Sequence, residues 1–451
     1  MKVDQKRWKK FLVAGAALAL VAGMGSTLPS AYAGGTIKAD DDKWISIGMG
    51  LRTSFNAREG VGPASSPGNA GGGTGAPSNS AYDNSFNVDN ARIYINGQIH
   101  KYVKFTFNTE CFTCAAGGNP NSAGVAAGGQ AFFGQNSTIG ILDMIGKFEI
   151  TEKVNLWVGR TLVPTERGEL NGPFYHATYN GFRTPLYPND NSGGFNTAGG
   201  AGLYGRDNGA VFFGKIHPAG THLLYAMSVF QGVTGASNTG ASLMYAGRLQ
   251  WNLLNDEDNP GYYTSGTYYG TAGDIFALAV GFSHQKDGAG SAVAKSDFNG
   301  LVFDALFEKL LPGNMGVLTV NGEFKRFWGD QLSSYTANGT TSGVGAGNSC
   351  GVCVFNGNSW TVYGLYLLPN KVGIGKFQPY GRFTRISPSN SAQREEWEGG
   401  VNYIIDGHNA RVSAYYTYGD IMSKGWAGGI YGPGAFGNRQ DAFHVALQLQ
   451  Y

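Results

Sequence analysis

The chain has 451 residues, of which 72 are Gly, 24 Tyr and 27 Phe, and only 14% are charged. That composition lacks the Glu-, Lys-, Leu- and Ala-rich amphipathic helices of a globular enzyme this large, and points to strands and loops. Lys and Arg number 33 against 31 Asp and Glu, but five of the basic residues and Asp4 lie in the first 33 positions, so the remainder is slightly acidic and offers no footing for a nucleic-acid partner.

The first element is a targeting segment. Lys2, Lys6, Arg7, Lys9 and Lys10 precede the apolar run Phe11 to Gly23, and Ala31-Tyr32-Ala33 is a small-x-small cleavage site. This order reads as a secretory signal peptide over 1–33. The run is short for a membrane span of roughly 20 residues. No Cys follows at Gly34, so no lipid anchor is expected.

From there the sequence has period two. Ile45, Ile47, Met49, Leu51 and Phe55 share one face, and Ser46, Arg52 and Ser54 the other. The pattern returns at Phe105 and Phe107, at Leu243 to Trp251, at Leu318 to Phe324, at Val412 to Tyr418 and at Phe443 to Tyr451. About sixteen strands are expected, at 43–57, 85–99, 102–111, 137–149, 153–164, 205–216, 221–231, 242–253, 273–286, 297–309, 316–328, 358–369, 375–386, 396–405, 410–420 and 437–451. Connections alternate between short (His100-Lys101, Thr151-Glu152, Asp406 to Asn409) and long (58–84, 112–136, 165–204, 329–357, 421–436). The connection 254–272 is too long for its place among the short ones.

Strands of about 9–11 residues suit a tilted membrane crossing, with lipid on the apolar face and water on the polar one. In lipid every backbone group must be paired internally, so the sheet must close. The expected fold is therefore all-β, a transmembrane antiparallel barrel over 34–451, with long extracellular loops and short periplasmic turns. Tyr451 ends a closing strand that matches the parity of Ile45 to Phe55.

Parity puts Arg52, Arg92, Lys104, Arg248, Glu323, Lys325, Arg382 and Arg411 on the pore-lining face. Cations dominate that set and lean towards anions, unless the charges pair with one another. Arg160 shares parity with Val154, Leu156 and Val158, the lipid face, where an arginine costs about 2–4 kcal/mol. A bulge near Gly159, or a place at the rim or at a subunit interface, is expected there.

Val88 to Gly97 followed by Val103 to Phe107, then Leu142-Asp143-Met144, Leu156 to Arg160, Gly205 to Gly209, and Gln378 to Phe383, together resemble the phosphate-selective porin O and P family. The resemblance implies a sixteen-stranded, homotrimeric channel for small solutes or ions, in contact with outer-membrane lipid. It also implies that the connection 164–204 folds inward as a constriction. That segment carries Glu166, Arg167, Glu169, His176, Arg183 and Asp190, with Phe174, Tyr175, Tyr179, Phe182 and Tyr187. It is mixed in sign, where phosphate-selective members are richer in Lys and Arg.

Cys111, Cys114, Cys350 and Cys353 form two CxxC pairs in or beside long loops. They are disulfide candidates in an oxidising compartment, with a four-thiolate zinc site as the alternative. Two enzyme-like matches fail on context. Gly209 to Lys215 lacks the Ser or Thr after its Lys and lies in a strand, and Gly347 to Gly351 lies in a Gly-rich loop without a strand-to-helix turn. The seven His show no metal-ligand spacing. The sequence thus reads as a channel without catalysis, cofactor or metal. Its alternatives are a barrel sheathing an extracellular electron-transfer or surface partner, or an outer-membrane hydrolase for which no nucleophile and His pair is found.

Overall fold

The structure, a computed structural model, describes residues 35–40, 42–59, 82–111, 139–181, 205–232, 238, 240–257, 259–290, 292–330, 334–335, 341–342, 356–389, 393–419 and 439–451. Residues 1–34, with the expected signal peptide, lie outside them.

Sixteen strands close into one antiparallel cylinder. They are β1 (Trp44–Glu59), β2 (Tyr82–His100), β3 (Val103–Cys111), β4 (Ile139–Thr151), β5 (Val154–Leu162), β6 (Arg206–Ile216), β7 (His222–Phe230) and β8 (Met244–Asn252). The second half comprises β9 (Ile275–Gly290), β10 (Lys295–Leu310), β11 (Val317–Trp328), β12 (Gly357–Leu367), β13 (Lys376–Pro388), β14 (Arg394–Asp406), β15 (Ala410–Gly419) and β16 (Gln440–Gln450). Every strand expected from the period-two pattern is present, its ends within four residues of the expected ones. Each pairs with its sequence neighbours, and β16 returns to β1 with Val445 opposite Phe55 and Leu449 opposite Leu51.

The seam has one refinement. Tyr451 and Met49 exchange both backbone hydrogen bonds at 2.8 Å, and there the closing strand stops. β1 runs on beyond that point. Its spare edge at Trp44 to Ile47 is taken by a short antiparallel strand, Gly35–Lys38.

The β2–β3, β4–β5 and β14–β15 turns, the shortest, fall at one end, and the longest connections, after β1, β3, β5, β11 and β15, at the other, which marks the first end as periplasmic. The outer face is apolar along every strand, for example Phe276, Leu278 and Phe282 on β9 and Val320 and Phe324 on β11. Exposed aromatics gather at both ends, Tyr102, Trp251 and Tyr451 near the short turns and Trp328, Trp397 and Tyr418 near the long loops. These are the interfacial girdles a bilayer requires. Among the described residues no helix is long and apolar enough to cross a membrane. A closed sixteen-stranded barrel with such a belt places the protein in the bacterial outer membrane.

Arg160 does not sit on a bulge. The β4–β5 register runs unbroken through Ile145–Gly159 and Met144–Arg160, as does β5–β6 through Gly159–Gly209 and Arg160–Asn208. Instead the exposed–buried alternation of β5 breaks at Gly159, which has φ +129°, and Arg160, Thr161 and Leu162 are all buried. Arg160 thus occupies the rim, two residues before β5 ends at Leu162.

Candidate functional site

After β5 the chain turns into the barrel. Val163 to Asn180 is buried almost throughout, around a single helical turn, α1 (Arg167–Leu170). Charged side chains from the far wall receive it. Lys325 pairs with Glu166 and, at 3.2 Å, with Glu323, whose other oxygen accepts the Gly168 N–H at 3.0 Å. Asp304 accepts from the Arg167 side chain at 3.2 Å and from Arg248 at 2.5 and 2.8 Å. A glycine on β9 makes the close approach possible: a Cβ on Gly281 would lie 2.0 Å from the Thr165 carbonyl oxygen.

Farther along, the segment is held by its carbonyl edge. Gln448 donates to the Phe174 carbonyl at 2.8 Å. Arg411 donates to those of His176 and Ala177 at 2.7 and 3.2 Å, and Asn402 reaches Ala177 at 3.1 Å. Arg382 bonds the Thr178 hydroxyl at 2.8 Å and the Asn180 carbonyl, and Arg52 bonds the Tyr179 carbonyl while its guanidinium lies 4.0 Å from the Tyr179 ring centre. Burial first, then the neighbouring Arg52, Arg382 and Arg411, hold the His176 imidazole well below its usual range, so it is neutral. A positive charge on the ring would be repelled by these guanidiniums.

A second segment enters from the opposite end. The connection between β8 and β9, too long for a periplasmic turn, also folds inward over its described residues, 253–257 and 259–274. Tyr262 and Tyr263 sit on Trp157, ring centres 5.3 Å away in each case, and the Tyr262 hydroxyl donates to the Leu162 carbonyl at 2.6 Å. Glu308 of β10 accepts from Thr267 Oγ1 and the Gly270 N–H at 2.7 Å each. The two segments then meet. Arg167 grips both oxygens of Glu257 at 2.7 and 2.8 Å, and the Gly266 N–H donates to the Tyr175 carbonyl at 2.9 Å. His408, in the β14–β15 turn, donates from Nε2 to the Thr267 carbonyl at 2.9 Å.

All eight residues expected to line the pore are on the inner face. Seven are buried, and Lys104 keeps 32% of its side chain exposed. Most are paired: Arg92 with Glu110 at 2.5 Å, Lys104 with Glu149 at 2.6 Å, Arg248 with Asp304, Lys325 with Glu166 and Glu323, and Arg382 with Glu398 and Glu396. Arg52 and Arg411 take amide and carbonyl oxygens instead. Of the expected constriction residues, Glu166, Arg167, His176, Glu169, Phe174, Tyr175 and Tyr179 lie in the inward segment. Arg183, Phe182, Tyr187 and Asp190 fall outside the described residues. Cys111 is disulfide-bonded; Cys114, Cys350 and Cys353 also fall outside. Among the described residues no group of three His, Cys, Asp or Glu could hold a metal.

Sequence reasoning missed the acids that organise the site. Asp304 and Glu308 were legible, since both share the inward parity of β10. Glu257 was not, because no pattern marks a residue inside a connection. The inward wall of β5 to β8 was also hidden. Trp157, Val211, Phe213, Leu224 and Ala226 are buried there, while Leu156 and Phe212 on the outer face are exposed. With both faces apolar, period two gives no sign of which one points in.

No model of a known protein family matches the sequence, and neither does any curated protein sequence. Solved structures do match. An anion-selective porin from Comamonas acidovorans superposes with a TM-score of 0.52 at 13% identity, over 91% of this chain and 100% of that one. OmpF from Salmonella typhi gives 0.51 at 10% identity, over 92% and 100%. OprB from Pseudomonas putida gives 0.50 at 10% identity, over 90% and 94%. The fold is porin-type. At these identities the likeness concerns the fold alone.

Proposed function

We propose that the protein is an outer-membrane channel for passive diffusion of small hydrophilic solutes or ions, with a weak preference for anions such as phosphate. The observation that carries this reading is a closed barrel whose inner wall bears matched charges around a charged inward segment. Such an arrangement filters by size and field without chemistry. Water reaches the inner wall beside β3 and β4, where the Lys104–Glu149 pair is 32% and 26% exposed and Lys147 stacks 4.0 Å over Trp157. The anion preference rests on Arg411, whose guanidinium is met by neutral oxygens, and on Arg52, whose hydrogen bonds go to neutral oxygens with the Asp89 carboxyl close by. It is weak because the other wall cations are neutralised by Asp and Glu.

A sheath around a partner chain needs an empty lumen, and here the described lumen is occupied by two segments of the protein itself. A homotrimer in lipid, and a Cys111 disulfide to Cys114 within its own CxxC pair, complete the proposal. Reversal potentials across a salt gradient test the selectivity: an anion-signed potential that shrinks in Arg411→Gln is expected. A cation-signed potential in the wild-type protein would defeat the anion preference and leave the diffusion channel standing.

A further inference from the structure

We propose that residues 253–257 and 259–274 form a resident plug, inserted from the periplasmic side, that sets the bore of the channel. The proposal rests on the channel reading above.

Three features carry it. The first is the wall behind the segment. Trp157, Val211, Phe213, Leu224 and Ala226 on β5 to β7 point inward and are buried, and Tyr262 and Tyr263 pack against this apolar patch. A water-filled lumen does not leave such a wall wet, because apolar surface is driven out of water. The segment is therefore the wall's permanent cover and not a lid that swings away.

The second feature is fit. Gly261 has φ +61°, and a Cβ there would fall 2.6 Å from the Trp157 ring, so the chain crosses the indole at backbone distance. Its two feet are fixed by ion pairs at the periplasmic rim, Asp256 with Lys215 and Asp274 with Lys309. Tyr268 adds an internal brace, its hydroxyl donating to Glu257 at 2.6 Å.

The third feature is the junction with the other inward segment. The buried Arg167–Glu257 pair, the Gly266–Tyr175 backbone bond and the bond from the Thr264 hydroxyl to Asn171 Oδ1 at 2.7 Å join the two into one body spanning the lumen. The extracellular segment alone would narrow the barrel from one side. Backed from below, it is held at a fixed height, and solutes pass beside the joint body. The segment thus excludes larger solutes and lowers conductance.

The test uses full-length protein in planar bilayers, with two variants checked for a folded barrel by heat-modifiable electrophoretic mobility. In one, residues 256–272 are replaced by a short Asn-Gly turn. In the other, Tyr262→Ala is combined with Tyr263→Ala. The turn variant is expected to conduct about twofold or more above wild type, since current follows the open cross-section of the barrel. It should also admit polyethylene glycols that wild type excludes, and the alanine pair should show a smaller rise. Wild-type conductance and exclusion in the folded variants overturns the plug, and if the turn variant does not fold the alanine pair decides alone. Folded protein that never conducts, in wild type and both variants, overturns the channel reading itself.

Discussion

Arg167 and Glu257, 90 residues apart in sequence, form a two-pronged ion pair in the lumen with side chains 1% and 2% exposed. It joins a segment that entered from the extracellular side to one that entered from the periplasmic side. Removing one partner of a buried pair leaves the other charge without its counterion, at a cost of about 3–5 kcal/mol. Glu257→Ala should therefore lower the unfolding midpoint of the barrel in detergent by far more than Asp40→Ala, which removes an exposed partner of Lys43. Equal effects would mean that the inward segments do not contribute to stability.

Adjacent residues on β10 should answer differently to substitution. Phe303 faces lipid, 49% exposed, and Asp304 faces inward, 5% exposed. Phe303→Arg should cost about 2–4 kcal/mol and impair insertion, as a charge at the bilayer midplane does. Asp304→Asn should insert normally, yet disturb conductance because Arg248 and Arg167 both lose a counterion. Insertion into lipid vesicles and conductance measure the two effects separately.

Gly281 marks a contact with no slack. A methyl group there meets the Thr165 carbonyl at 2.0 Å, so Gly281→Ala should displace the start of the inward segment. Overpacking of this kind costs about 1–3 kcal/mol. Because the carbonyl backs onto the paired charges around Asp304, channel noise should rise along with instability. A variant as quiet and as stable as wild type would show that the segment does not press against β9.

Acid should loosen the periplasmic segment. His408 is pushed down to about 3, first by burial and second by Arg411, and its ring lies against Tyr175 and Tyr269. Released from its site, the imidazole would titrate near its usual value of about 6.5. Between these values the undocked form takes up a proton that the docked form refuses. Docking is therefore fully favoured above about 6.5 and weakens as pH falls towards 3. Hydrogen-exchange protection over 263–270, taken relative to the intrinsic rate at each pH, should fall on acidification, and His408→Gln should flatten the response. Protection that is unchanged or rises on acidification would contradict this.

Much of this architecture is written in alternating side chains. The strands were legible because lipid on one side and charge on the other force period two, as at Val412 to Tyr418 beside Arg411 to Thr417. The inward charges were legible by the same parity. What those charges do was not, since a lumen arginine looks the same in sequence whether it faces solute or holds a carbonyl, as Arg411 does. The periplasmic segment escaped because it has no period, and only its length and the doublets Tyr262-Tyr263 and Tyr268-Tyr269 hinted at a packed structure. The apolar inner wall escaped with it, as each depends on the other.

Single-channel recording of the purified protein in a planar bilayer bears most directly on the diffusion channel. Discrete, ohmic current steps, smaller than those of a sixteen-stranded barrel with a single inward segment, are the predicted result. Folded, inserted protein that gives no steps under any salt would contradict it.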